Sequence, residues 1–319
     1  MAAAAAAADA DARGITSIGL EDLPDDVLVQ ILRRLDGPAL ASAGCVSSRL
    51  RLLSALPSIW QDLCLSTWPT MSLLPSLPSS PRTFFSRAFP FPTAGGTAVG
   101  EVVADVLVSV VSLYHRGVLV FSRIFETETK SPWFGYTSFR IDALERHEGH
   151  LRLDQPFSPA DLELSWLVMD RAAKRVVDVS SRRPVAVDPH WFSGEVQVKF
   201  ATVAGDCRAA AVASVTCGGH EVRELMMSVE DTDGVYLRGR ESLAILGEMM
   251  AGGRRGNGMG RLAEEAREKY GEFVGIKKGT KEMTVKREEE TPEILWTAAA
   301  VSVLCSVCAL PVYWWLRGQ

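Results

Sequence analysis

Apolar positions near the start of the chain recur at helical spacing. From Leu23 to Leu35, the residues Val27, Leu28, Ile31, Leu32 and Leu35 fall at i, i+1, i+4, i+5 and i+8, which makes one stripe on a 3.6-residue helix. Asp22, Asp25 and Asp26 gather at its N-terminal end, where unpaired N–H groups and the helix dipole favour carboxylates, and Pro24 suits a first turn. Asp36-Gly37-Pro38 stops this helix and opens a second with Leu40, Ala43 and Val46 on one side. Ser47 and Ser48 cap a third that carries Leu50, Leu52, Leu53 and Leu56, and Pro57-Ser58-Ile59-Trp60 begins a further turn closed by Leu63 and Leu65. Three or four short helices cannot bury a large core, so a partner is expected to cover part of their apolar surface.

The pattern then breaks. Pro69, Pro75, Pro78, Pro81, Pro90 and Pro92 recur through a Ser- and Leu-rich stretch, which predicts a linker over 67–97, with Phe84-Phe85 able to pin it to a neighbour. From about 98 to 250 the period is two. Val102 to Val110, Gly117 to Phe125, Trp133 to Ile141, Leu162 to Asp170, Arg175 to Val179, Val185 to Val187, Glu195 to Val203, Ala209 to Cys217 and Glu221 to Val229 all read as strands. Tight turns such as Gly205-Asp206, Gly218-Gly219 and Asp233-Gly234 separate them, which favours an antiparallel β-sandwich over a parallel sheet. The fold class expected is therefore α+β: a small three-to-four-helix unit over 18–66, an antiparallel β-sandwich-like domain, then a C-terminal charged helix and an apolar helix.

The ends extend this plan. Residues 1–17 form an alanine-rich tail without the basic end and apolar block of a secretory signal. Gly252 to Gly260 is a glycine-rich linker, and Arg261 to Arg287 mixes both charge signs as a solvated helix that Gly271, Gly275 and Gly279 should break; together these belong to a 251–293 segment. Ile294 to Leu316 runs 23 residues without a charge. As a helix that is about 35 Å, slightly more than a ~30 Å hydrocarbon core. Trp296 at one end and Tyr313, Trp314 and Trp315 at the other fit interface belts, so a tail anchor in an intracellular membrane is one reading and an apolar helix laid on the protein itself is the other.

Composition adds exclusions. The 319 residues are 47% hydrophobic with a net charge of −5, which gives no general electrostatic draw to nucleic acid. Six cysteines lack the dense spacing of a secreted disulfide scaffold and read as reduced, packed thiols of a cytosolic or nuclear protein. His147 and His150 lack the offset that places two ligands on one helix face, and Cys207, Cys217 and His220 do not make a closed zinc set. Asp231-Thr232-Asp233-Gly234 lacks the closing acid of a calcium loop. No nucleophile elbow or phosphate loop appears, so no catalytic residue, metal or cofactor is expected. Trp166, His190 and Trp191 are the candidates to line a target pocket, since aromatic rings give contact area with a polar handle.

The series Leu23-Pro24, Val27-Leu28, Ile31-Leu32, Leu35, Leu40, Cys45-Val46-Ser47, Arg49, Leu53 and Ile59-Trp60 resembles an F-box, with Leu50 where many F-boxes carry Trp or Phe. The resemblance implies a substrate receptor that docks the Skp-type adaptor of a cullin–RING ubiquitin ligase, and it places Leu23, Pro24, Val27, Leu28, Ile31, Leu32, Leu35, Leu40, Val46, Ile59 and Trp60 at the adaptor. The following region loosely resembles the β-rich domains of plant F-box proteins, which implies an unknown protein target. A carbohydrate-binding, lectin-like module and a membrane-held scaffold are the alternatives.

Overall fold

A computed structural model of the chain describes residues 20–88, 105–147, 149–153, 158–189, 193–204, 207–233, 235–251 and 263–283. The backbone divides into two compact units, 1–86 and 87–319. The alanine-rich tail, the glycine-rich linker and the apolar 294–316 segment lie outside the described residues. Among those described, no helix is long and apolar enough to cross a membrane.

The first unit is helical. A 3-10 turn at Leu20–Asp22 leads to α1 (Asp25–Leu32), followed by α2 (Gly37–Ala43), α3 (Ser48–Ser54) and α4 (Pro57–Thr67). The expected punctuation is in place. The Asp36 carboxylate accepts from Ala39 N at 2.8 Å and the Ser47 hydroxyl from Leu50 N at 3.3 Å, each satisfying a first-turn donor that has no partner inside its helix. α1 differs from its expected start: Pro24 is the N-cap, no side chain caps it, and Asp25 binds Arg49 instead. Leu35 falls beyond the end of α1.

The expected linker over 67–97 needs correction. Pro69 opens a 3-10 turn through Leu73, and Pro81 opens α5 (Pro81–Ala88). Both prolines sit at a first helical position, where a missing N–H breaks nothing, so a proline-rich composition did not forbid helix here. Phe85 packs with its ring tilted at 5.6 Å from Trp60 and 5.4 Å from Trp68, and Phe84 meets Trp68 edge-on at 5.9 Å. A side chain at Gly37 would overlap the Phe85 ring, so the start of α2 depends on having none. The helical unit thus continues well past the three or four helices read from the sequence.

The second unit is built of antiparallel strands. β1 (Val106–His115) and β2 (Val118–Glu128) join through Arg116 and Gly117, both at positive φ (53° and 77°), the backbone of a type I′ hairpin. Then come α6 (Pro132–Tyr136), β3 (Arg140–Leu144), β4 (Leu151–Arg152), β5 (Leu162–Asp170), β6 (Arg175–Asp178), β7 (Ala186–Pro189), β8 (Val196–Val203), β9 (Ala209–Gly218) and β10 (Glu221–Asp231). One sheet has the order β2-β1-β5-β6, the other β3-β10-β9-β8-β7 with β4 also on β10. Leu107, Val111 and Leu113 of β1 and Leu164, Trp166 and Val168 of β5 share one core with Phe200 of β8, Ala211 and Val215 of β9 and Leu225 and Met227 of β10. Alternate residues of β1, β5, β8, β9 and β10 therefore point between two facing sheets, as in a β-sandwich.

Three elements depart from the expectation. Trp133 to Ile141 is not one strand: Pro132 starts the helical turn α6, and strand β3 begins only at Arg140, after a single bridge from Ser138 to Arg238. A helix, α7 (Gly239–Ala251), follows β10 and sends Leu246, Met249 and Met250 into the core. The charged helix α8, residues 263–283, is continuous through Gly271, Gly275 and Gly279. It is held from outside: Tyr270 and Phe273 cover Ala201 and Val203 of β8 and Ala210 and Val212 of β9. Those small residues leave a shallow bed for a helix, and burial of two aromatic rings outweighs a glycine penalty of roughly 1 kcal/mol each.

Candidate functional site

The sequence-predicted residues of the helical unit separate into two sets. Leu28, Leu32, Leu40, Ile59 and Trp60 are buried, and the Trp60 indole N–H donates to the Ser54 carbonyl at 2.7 Å. They hold the helices together and present no surface. Pro24, Val27, Ile31 and Val46 are exposed, Leu23 and Leu35 half-buried. Val27 (39% exposed) and Ile31 (40%) are one turn apart on α1, and Val46 reaches 73%. Leu52 at 75% and Leu56 at 37% add to the uncovered apolar side chains; the helical pattern gave them only as content of the third helix, because a stripe of four leucines does not say which ones face out.

Arg49 braces this surface. Its guanidinium donates to the Leu23 carbonyl at 2.7 Å and to the Asp25 carboxylate at 2.6 Å, so α3 is tied to the first residues of α1. Arg33 and Asp62 approach to 3.5 Å, but both are about half exposed, and such a pair contributes little. Cys64 is buried, and desolvation pushes its thiol up to about 12, so it is inert packing. Cys45 is exposed.

In the β-sandwich the candidate pocket residues are not brought together. Trp166 is wholly buried, its indole N–H donates to Ser109 Oγ at 3.3 Å, and Phe125 meets it edge-on at 6.4 Å. It is a core residue, which corrects its expected place in a target or sugar pocket. β5 is buried on both faces, so an aromatic there packs whichever way it points. His190 and Trp191 lie outside the described residues.

The sandwich instead holds two charged arrangements that the strand pattern hid. Asp178 is buried and accepts from Trp166 N at 3.2 Å, Ser180 N at 3.1 Å and Ser165 Oγ at 3.1 Å. Burial raises its carboxyl to about 6, against the pull of the Arg182 charge and these donors. Glu195 faces Arg146 at 3.0 Å and Arg223 at 2.6 Å, and their hydrogen bonds hold its carboxyl down at about 2. Arg140 bridges Asp142 and Glu224 beside them. Each group is answered by a partner, so these are braces between strands. Cys217 is buried, its thiol raised to about 12. Among the described residues no group of three or more His, Cys, Asp or Glu could hold a metal ion.

The chain's relatives carry the same N-terminal element. The F-box-like family matches residues 20–66, the stretch from the first turn into the last turn of α4. Probable F-box protein At2g36090 of Arabidopsis thaliana is 38% identical over 272 residues, covering 80% of this chain and 81% of the relative. The chain is an F-box protein. F-box protein At2g27310 is 32% identical with 83% and 88% covered, and F-box protein At3g44326 is 35% identical with 86% and 85% covered, both from the same plant. The similarity therefore runs through the β-sandwich as well as the helices. No solved structure matches the chain. F-box proteins generally act as substrate adaptors of SCF ubiquitin ligases, and an F-box implies docking to a Skp-type adaptor.

Proposed function

We propose that this F-box protein is the substrate receptor of an SCF-type cullin–RING ubiquitin ligase, with the helical unit on a Skp-type adaptor and the β-sandwich on a protein target. The observation that carries the reading is the division within α1. Leu28 and Leu32 are packed, while Val27 and Ile31 stand uncovered on the next face, with Val46 and Leu52 also bare. Solvent-facing valine, isoleucine and leucine on short helices favour a protein surface that removes them from water. Arg49 holds α1 and α3 in one arrangement before any partner arrives, which lowers the ordering cost of association.

The protein's part in ubiquitin transfer is then positional. It holds the target near a conjugating enzyme charged elsewhere in the complex, and the gain comes from proximity and orientation. No side chain of this chain is assigned a chemical step. The direct test replaces Val27 and Ile31 with Asp and measures co-purification of the adaptor; retention at the wild-type level would refute adaptor docking through α1.

A further inference from the structure

The sandwich has an uneven set of edges. β6 and β7 have four residues each and β7 ends in Pro189; β3 has five and β4 two. Natural sheets blunt their edges in these ways, by shortness and by proline, because an open row of N–H and C=O groups is a template for another strand. β2 has eleven residues, Val-Leu-Val-Phe-Ser-Arg-Ile-Phe-Glu-Thr-Glu, with no proline and no lysine; it carries Arg123, Glu126 and Glu128, so its length, and not a lack of charge, sets it apart from the other edges. It pairs with β1 from Val118 to Glu128, with a register shift between Leu113 and Tyr114, and among the described residues no strand pairs with its other side, although β3 lies close enough for Arg123 to reach the Ala143 carbonyl.

The outward groups of this edge follow from the register. Thr129 N donates to the Asp105 carbonyl at 3.0 Å, and Val106 stands opposite Glu128. Hydrogen-bonded pairs alternate along an antiparallel ladder, so 127, 125, 123 and 121 turn their amides to β1, and Glu128, Glu126, Ile124 and Ser122 turn theirs away. The register is unbroken from Val106 to Leu113, so the alternation holds over this span. Glu126 and Glu128 are also exposed and make no ion pair among the described residues.

We propose that β2 is the target-docking edge, and that it takes an extended, β-branched segment of a target as an added antiparallel strand whose basic N-terminal end meets Glu126 and Glu128. This rests on the receptor reading. Main-chain bonds from 122, 124, 126 and 128 supply affinity, and the two carboxylates fix direction and register. A second copy of β2 is a poorer occupant. The one cation of the strand is Arg123, which already donates to the Ala143 carbonyl at 2.7 Å and stacks on Phe125, so a twin strand leaves all four carboxylates unanswered.

The test uses the full chain and a labelled eleven-residue peptide with lysine at positions 1 and 3 followed by alternating valine and threonine. Anisotropy should show salt-sensitive binding. Ser122→Pro removes an outward N–H and leaves the bonds to β1, and it should weaken binding at least tenfold; Glu126→Lys with Glu128→Lys should do the same and favour a peptide carrying glutamate at positions 1 and 3. Equal affinity in wild type and in the charge-reversed chain overturns the proposal even if Ser122→Pro fails to fold. A wild-type chain that doubles in mass, with Ser122→Pro monomeric, overturns it in favour of a second copy. Adaptor co-purification is measured alongside: its absence from the wild type sinks the receptor reading, whereas its presence with unaffected peptide binding sinks only the edge.

Discussion

Two carboxylates of the sandwich carry opposite pH signatures. Glu195, between Arg146 and Arg223, titrates near 2 instead of 4.5, so its stabilisation is full above about pH 4.5 and is lost as pH falls toward 2. Asp178 titrates near 6 instead of 3.8 because it is buried. The folded state binds its proton first, so this group favours folding increasingly as pH falls from above 6 to about 3.8. Asp178→Asn should flatten the stability profile between pH 4 and 6, and Glu195→Gln should flatten it below 4.5 and lower stability at pH 7 by about 1–2 kcal/mol, allowing for the half-exposed Arg146. Urea unfolding at a series of pH values checks both; parallel profiles for wild type and variants would contradict the assignments. Leu28 and Val27 are neighbours with opposite duties. Leu28→Ala should cost about 2–5 kcal/mol of stability, and Val27→Ala, at a partly exposed position, under about 1 kcal/mol. Thermal unfolding distinguishes them.

Among the elements, α8 is the one whose amphipathic role the sequence concealed. Its glycines and mixed charges read as a broken, solvated helix, and only Tyr270 and Phe273, three residues apart, mark a buried face. Lys277 binds Glu230 at 2.7 Å and Arg267 donates to the Pro184 carbonyl at 3.2 Å, so the helix is fixed at both ends as well. Phe273→Ala should release it, with a loss of roughly 3–5 kcal/mol in local stability and new protease cleavage within 263–283. Unchanged cleavage would contradict that. β5 was legible to the residue, since Leu162 to Asp170 alternates at Leu162, Leu164 and Trp166, runs apolar through Met169 and is bounded by turns. α6 was not. Trp133, Phe134 and Tyr136 have strand propensity, and Pro132 at a first helical position decided the outcome. The cap at Ser47 was legible because it is a local hydrogen bond, and the break at Asp36-Gly37-Pro38 was read as a boundary without its Asp36 cap. The separation of α1 into packed and bare residues was not, since a five-residue stripe is wider than the face the neighbouring helices cover. Trp166 illustrates the same limit: its type fits a pocket or a core equally, and only the second sheet settles which.

For the whole molecule, the proposed division of labour gives the bare side chains of the helical unit to the adaptor and the long β2 edge of the sandwich to the target. The first is expected to recruit ligase machinery and the second to choose what it acts on. The most direct measurement is adaptor co-purification from cells expressing the full chain with Val27→Asp and Ile31→Asp, beside a check that its unfolding midpoint matches wild type. The prediction is at least a tenfold loss of adaptor with the fold intact. Adaptor recovered at the wild-type level from the intact variant would contradict it.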